Sequence, residues 1–172
     1  IKKGNPNKPF TFETQQTVGS YGLFNSYNAI GGTHKKFSYY GFFHTRSADG
    51  WRNNSRYNTY TGYFSANYQL TQKMNISLEY TKTDYKSQQP GGLTDAQYKE
   101  DSRQSFRERN WFGAPWNVAS LTFKYDISKA VSFNIKSFGS ITERNSVGFT
   151  SPVTVKDTIN PATLQYKARQ VD

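Results

Sequence analysis

Apolar and polar residues alternate along much of this chain with a period of two, the repeat of an extended strand whose side chains point to opposite faces. In the clearest run, Tyr60, Gly62, Phe64, Ala66, Tyr68 and Leu70 fall on one face, and Thr61, Tyr63, Ser65, Asn67 and Gln69 on the other. Met74, Ile76, Leu78 and Tyr80 against Asn75, Ser77, Glu79 and Thr81 predict the next strand. Ala119, Leu121, Phe123, Tyr125 and Ile127 against Ser120, Thr122 and Lys124 predict another, followed by Val131, Phe133 and Ile135 against Ser132, Asn134 and Lys136. Segments 68–78 and 125–135 align position for position. In both, a three-residue turn keeps the phase, so that Leu70 and Met74, or Ile127 and Val131, close the hairpin on one face. Less regular strands over Phe10–Gly19, Leu23–Gly31 and Phe37–Arg46 bring the total to about seven.

From the second predicted strand onward the connections alternate in length. Thr33–Lys36, Thr71–Lys73 and Ser128–Ala130 are short, whereas Ser47–Tyr57, Gln88–Pro115 and everything after Arg144 are long. An up-and-down arrangement puts every second connection at the same end, and outer-membrane barrels have short turns at one rim and long loops at the other. A Greek-key sandwich has no reason to alternate in this way. The pattern therefore predicts an all-β fold, an antiparallel up-and-down transmembrane β-barrel that is partial, because about seven strands fall below the eight of a small closed barrel. The tail Ser151–Asp172 reads as a long loop cut before its return strand.

Composition strengthens this choice. Only 34% of the 172 residues are hydrophobic and mean hydropathy is -0.84, yet 17% are aromatic. A soluble core draws on Val, Leu and Ile, whereas a barrel with a wet lumen needs apolar residues at alternate positions and aromatic girdles at its interfaces. No stretch approaches the roughly 20 apolar residues of a spanning helix, but barrel strands need only about 9–11. With no cysteine there is neither a disulfide framework nor a thiolate metal site. The formal charge of +10 favours anionic partners. It is spread through turns and loops rather than gathered in one stripe, which speaks against nucleic acid as the partner.

Candidate chemistry lies in the long loops. Thr94 with Gln97 forms a capping-box pattern that predicts a short helix over Asp95–Glu100. Arg103, Arg107 and Arg109 then crowd around a single Glu108, and Arg46, Arg52 and Arg56 face only Asp49. A guanidinium is a planar fork that grips carboxylates in pairs. Trp51, Trp111 and Phe112 are candidate walls for such a site. Rim arginines equally pair with acids on neighbouring loops or with lipopolysaccharide phosphates. His34 and His44 stand apart and make no metal site, and no nucleophile elbow, catalytic carboxylate pair or phosphate-cradling glycine loop is present. Enzyme chemistry and a bound cofactor are therefore not expected. Glu13, Gln15, Asn67, Glu79, Lys124 and Lys136 fall on the lumen side, to hydrate a channel or contact a plug.

The loop Gly91-Gly92-Leu93-Thr94-Asp95-Ala96-Gln97-Tyr98, with Asp101-Ser102-Arg103-Gln104-Ser105-Phe106-Arg107-Glu108-Arg109-Asn110-Trp111-Phe112, resembles a long extracellular loop of TonB-dependent outer-membrane receptors. The similarity is to ferric-citrate-type siderophore receptors of the Bacteroidetes kind and runs over most of the chain, strongest from Phe37 to Ile135. The opening Ile1-Lys2-Lys3-Gly4 resembles the join between that family's plug domain and its first barrel strand. The resemblance implies a bacterial outer-membrane barrel of about 22 strands with a plugged lumen. Residues 1–172 would form the N-terminal part of that barrel, without the plug and the remaining strands. It further implies ferric citrate or a siderophore as transported ligand, and lipid, lipopolysaccharide and the TonB complex as partners. Arg107 and Arg109, then Arg103, Asn110 and Arg52, would be the ligand contacts. A passive porin-like or adhesin barrel, a sibling receptor for haem, vitamin B12 or oligosaccharide, and a soluble basic sandwich are the rival readings.

Overall fold

The computed structural model describes residues 4–166 and 170–171. Long strands follow one another in order: β1 (Thr11–Gly19), β2 (Leu23–His34), β3 (Phe37–Ala48), β4 (Tyr57–Gln69) and β5 (Met74–Gln88). After the short helix α1 (Asp95–Glu100) come β6 (Trp111–Gly113), β7 (Trp116–Asp126), β8 (Ser132–Thr142) and β9 (Asn145–Phe149). The tail adds β10 (Ile159–Asn160), β11 (Gln165–Tyr166) and β12 (Gln170–Val171). All these strands except β10 and β11 belong to one ten-stranded sheet, antiparallel at every pairing. The all-β, up-and-down, partial-barrel architecture expected from the alternation is the one observed.

Two apparent breaks are interruptions of continuous strands. Gly113 lies opposite Asn145 and Trp116 opposite Thr142, which is one unbroken register. Pro115 has no N–H to give to the ladder, so β6 and β7 are separated by two residues that still follow the strand path. The flanking bonds hold it: Ala114 N–H donates to the Tyr85 carbonyl (2.9 Å) and Glu143 N–H to that of Pro115 (2.9 Å). With β6–β7 and β8–β9 each taken as one strand, the expected seven are all present. The tail differs from expectation. Gln170 and Val171 already pair with Phe149 and Gly148, so the return strand begins within the chain. Part of the expected opening junction, residues 1–3, lies outside the described residues, as does Asp172.

The two hairpins that match in sequence match in their turns. Thr71 Oγ1 accepts the N–H of Lys73 (3.2 Å) and of Met74 (3.1 Å). Ser128 Oγ does the same for Ala130 (3.2 Å) and Val131 (3.1 Å). A short hydroxyl side chain in the first turn position satisfies the donors that the reversal would leave bare. At the other rim, the Ser20–Leu23 turn puts Tyr21 and Gly22 at φ 58° and 66°. Both lie in the left-handed region, where glycine carries no steric penalty.

Polarity across the sheet is reversed relative to a water-soluble domain. Cross-strand register places Phe12, Ile30, Gly41, Phe64, Tyr80 and Ala119 in one row, and Tyr39, Ala66, Leu78 and Leu121 in the row nearer the short turns. Most of the large apolar side chains in these rows are exposed, Phe12 at 59%, Phe64 at 43% and Leu121 at 47%. The opposite face holds Ala29, Tyr40, Ser65, Asn67 and Ser77, all buried. Side chains on the inside of a curled sheet crowd together while those outside splay apart, so polar groups are enclosed and greasy ones presented outward. Several inner groups bond one another: Asn67 Nδ2 donates to Asn75 Oδ1 (2.7 Å) and Ser77 Oγ (2.6 Å), while Glu79 accepts from Tyr63 Oη (2.9 Å) and Ser120 Oγ (3.1 Å).

Candidate functional site

The strands deliver three long connections to one rim: residues 49–56 after β3, 89–110 after β5, and 150–158 after β9. They interlock through the residues singled out for anion binding. α1 forms as expected, with Thr94 accepting from Gln97 N–H (3.3 Å) and the Gln97 side chain accepting from Thr94 N–H (2.8 Å). The Gln97 amide then donates to the Val153 carbonyl (3.2 Å), tying the helix to the third loop.

Arg107 is buried at 6% exposure. Its Nη1 donates to the carbonyls of Phe106 (3.0 Å) and Val155 (2.9 Å), its Nη2 to that of Ser151 (2.8 Å), and its guanidinium lies over the Phe149 ring at 4.7 Å. The stem passes so near Gly91 that a Cβ there would meet Arg107 Cγ at 2.7 Å, and Gly91 itself adopts φ 72°. Any other residue at 91 meets both obstacles. Arg109 grips Asp157 with both prongs, Nε to Oδ2 at 2.8 Å and Nη2 to Oδ1 at 2.7 Å. It also stacks at 3.7 Å on Tyr166. The hydrogen-bonded Asp157 carboxylate raises the Arg109 pKa above its already high ordinary value, against the opposing pull of burial.

Arg52 reaches across to the second loop, donating to the carbonyls of Gly91 (2.9 Å) and Gln104 (2.8 Å). With Trp51, Leu93, Asp95, Tyr98 and Ser102 it lines a recess of about 300 Å³. Asn110 Oδ1 accepts from Phe149 N–H (2.8 Å). Arg103 donates through Nε to the Trp51 carbonyl (2.7 Å) and is exposed, its guanidinium 5.6 Å from the Tyr21 ring. Its terminal nitrogens have no hydrogen-bond partner among the described residues.

The five arginine and asparagine candidates are thus brought together, and most of their donors hold loops to one another. The aromatic walls are not brought together. Trp51 lines the recess beside Arg52, Trp111 packs under Lys86 Nζ (4.4 Å), and Phe112 under Arg144 (5.3 Å). Arg56 pairs with Asp49 at 2.9 Å on the surface. Among the described residues no cluster of metal-ligating side chains occurs.

Sequence reasoning missed Asp157, Tyr166 and Asn54. The Asn54 amide donates to the carbonyls of Arg107, Asn110 (3.3 Å) and Gln89 (3.4 Å) from a backbone at φ 54°. An Asn-Asn-Ser stretch is the local signal for such a left-handed turn. Asp157 had only the signal of being one of two acids in the tail, beside Lys156. The inner wall also holds more aromatic side chains than its polar alternation suggested. Tyr27, Tyr40, Phe42 and Tyr63 form a contiguous array with ring centroids 5.3–6.4 Å apart. Tyr27 and Tyr40 share a hydrogen bond between hydroxyls (2.5 Å), and His44 Nε2 bonds Asn25 Oδ1 (2.5 Å) beside them.

No family model matches the chain, and no curated protein matches it. Among solved structures it is similar to the crystal structure of the ferric citrate transporter FecA in the unliganded form, with a TM-score of 0.71 and 21% identity. The match covers 86% of this chain and 23% of that one, so the chain spans about a quarter of the transporter it resembles. At this identity the likeness establishes the fold, an arc of a similar barrel.

Proposed function

We propose that this chain forms part of the wall and mouth of a bacterial outer-membrane TonB-dependent receptor that takes up ferric citrate or a related ferric chelate. The observation that carries the reading is the reversed polarity of the sheet, with Phe12, Ile30, Phe64, Leu78, Leu121 and Phe133 exposed on one face and hydrogen-bonded polar groups enclosed on the other. Lipid is the solvent for which such a face is suited. The likeness to a ferric citrate transporter's barrel supports the same reading. Residues 1–172 then make up the N-terminal part of the barrel, with a plug before them and further strands after.

The basic loops attract an anionic chelate, and their guanidiniums match its carboxylates. Arg103 is the foremost contact, because its exposed terminal nitrogens point to no protein acceptor among the described residues. Arg52 stands next, in the recess beside it. Arg107, Arg109 and Asn110 complete the mouth by holding the three loops in shape. The loop rim meets lipopolysaccharide, and TonB drives release of the cargo. The process is transport, with no bond made or broken in the ligand.

The test is uptake of radioactive iron from ferric citrate by cells carrying the full-length protein. Uptake is expected to fall to background without TonB. Arg103→Ala is expected to raise the half-saturating concentration about tenfold, the loss of one charge-assisted bond. Uptake indifferent to TonB would replace this reading with that of a passive barrel. A second reading rests on the inner aromatic array: the rings of Tyr27, Phe42 and Tyr63 beside His44 and Asn25 offer stacking faces and hydrogen bonds to a sugar. Competition by oligosaccharide and not by citrate would favour it.

A further inference from the structure

The short-turn rim has a chemistry that cargo binding leaves unused. Lys35 and Lys36 make the β2–β3 turn, Lys73 lies in the β4–β5 turn and Lys129 in the β7–β8 turn, and none of these turns contains Asp or Glu. Two of the lysines are placed by the same pair of contacts. The Lys36 carbonyl accepts Gln69 N–H (2.9 Å) while its Nζ donates to the Leu70 carbonyl (3.4 Å). One hairpin further on, the Lys73 carbonyl accepts Asp126 N–H (2.8 Å) while its Nζ donates to the Ile127 carbonyl (3.3 Å). Leu70 and Ile127 are the exposed residues that end the apolar face at this rim. Each ammonium is therefore pinned where the greasy band stops. A repeat every two strands spaces these charges about 10 Å apart along the rim.

Between Lys73 and Lys129 the rim opens a recess of about 590 Å³, bordered by Ser128, Ser132 and the exposed Val131. Its one acid, Asp126, pairs with Lys124 at 3.1 Å, which leaves the recess positive. We propose that this rim binds the phosphate of anionic phospholipid headgroups in the leaflet facing the short turns. Lys36, Lys73 and Lys129 are the cationic donors and Ser132 supplies a hydroxyl. A free anion has no use for Leu70, Ile127 and Val131 beside the ammonium groups. A phospholipid satisfies both, with acyl chains on the apolar side chains and phosphate at the lysines, whose stems lie along the boundary. The inference rests on the membrane reading above and assigns the lipid partner at one rim of it.

The experiment places the full-length protein in nanodiscs of mixed phosphatidylglycerol and phosphatidylcholine and counts the lipids it retains on release, by native mass spectrometry. The intact protein is expected to retain phosphatidylglycerol preferentially. The triple variant Lys36→Gln, Lys73→Gln, Lys129→Gln keeps much of each stem and loses each charge, and the preference should fall about fivefold per lysine that contacts a headgroup. Lys99→Gln, in α1 at the opposite rim, should leave it unchanged. An inserted protein without preference overturns the proposal, as does a triple variant that keeps it or a Lys99→Gln variant that loses it equally. Displacement of the retained lipid by inorganic phosphate also overturns it, in favour of a simple anion site. A protein that never enters the nanodisc overturns the membrane reading and this inference together, which separates the two failures.

Discussion

Leu121→Arg is expected to destabilise the membrane-inserted protein by about 2–4 kcal/mol, the cost of a cation on the lipid face near the middle of the bilayer. Leu121 lies opposite Leu78 on one side and Ser137 on the other, with Phe123 nearer the short turns and Ala119 nearer the long loops on the same face. No acid occupies the neighbouring positions of that face to receive the new charge. The adjacent Thr122 points inward, opposite Ser77 and Lys136. Thr122→Arg should cost well under half as much, because it meets polar groups and water. The check is denaturant unfolding of both variants in lipid vesicles. Equal costs at the two positions would mean that the outer face does not meet lipid.

Asp157→Ala should have the next largest effect, confined to the loops. Asp157 is fully buried, accepts both prongs of Arg109, and its own N–H donates to the Phe106 carbonyl at 3.1 Å. Removing the acid takes away the carboxylate that both prongs of a partly buried guanidinium hold. Arg109 keeps 21% of its side-chain surface in contact with solvent and can rehydrate in part. The expected loss is therefore about 2 kcal/mol rather than the 3–5 of a fully enclosed pair. Opening of the 150–157 segment from the 103–110 segment should become about thirtyfold more frequent. Limited proteolysis would detect it as faster cleavage in those two segments, with the strands unaffected. An unchanged cleavage pattern would show that the ion pair does not hold the loops together.

What the chain discloses before folding depends on whether the two faces of a strand differ in polarity. The β4–β5 and β7–β8 hairpins were legible because apolar and polar residues alternate through them and Thr71 or Ser128 marks the turn. Alternation marked the faces of β5 only as far as Thr81, and the strand runs on to Gln88, where the long connection was expected to begin. Beyond Tyr80 its outer face presents Lys82, Asp84 and Lys86, so both faces are polar and alternation ceases to signal a strand, although the backbone ladder continues. β6 went unseen for a different reason: Pro115 interrupts the run and makes Trp111–Gly113 look like loop. Tyr63 already fell on the polar side of the alternation, and the hydroxyls of Tyr27 and Tyr40 make those rings equally suitable for an enclosed polar face.

The loop cluster was half legible. Five residues chosen for their chemistry do converge, because local crowding of Arg103, Arg107 and Arg109 is visible in the chain. Their partners were not, since Arg109 and Asp157 are 48 residues apart and no local period links them. The charge excess likewise hid the fact that Arg107 serves three carbonyls rather than standing ready for an anion.

The most direct test of the membrane arc is a spin-label scan along β5. Single nitroxide labels at positions 74–80 would be probed for collision with oxygen, which concentrates in lipid, and with a water-soluble nickel chelate. Met74, Ile76, Leu78 and Tyr80 should be accessible to oxygen and shielded from nickel, with Asn75, Ser77 and Glu79 showing the reverse, a strict alternation of period two. If nickel reaches the even-numbered positions as readily as the odd ones, the outward apolar face lies in water or against protein, and the receptor reading fails with it.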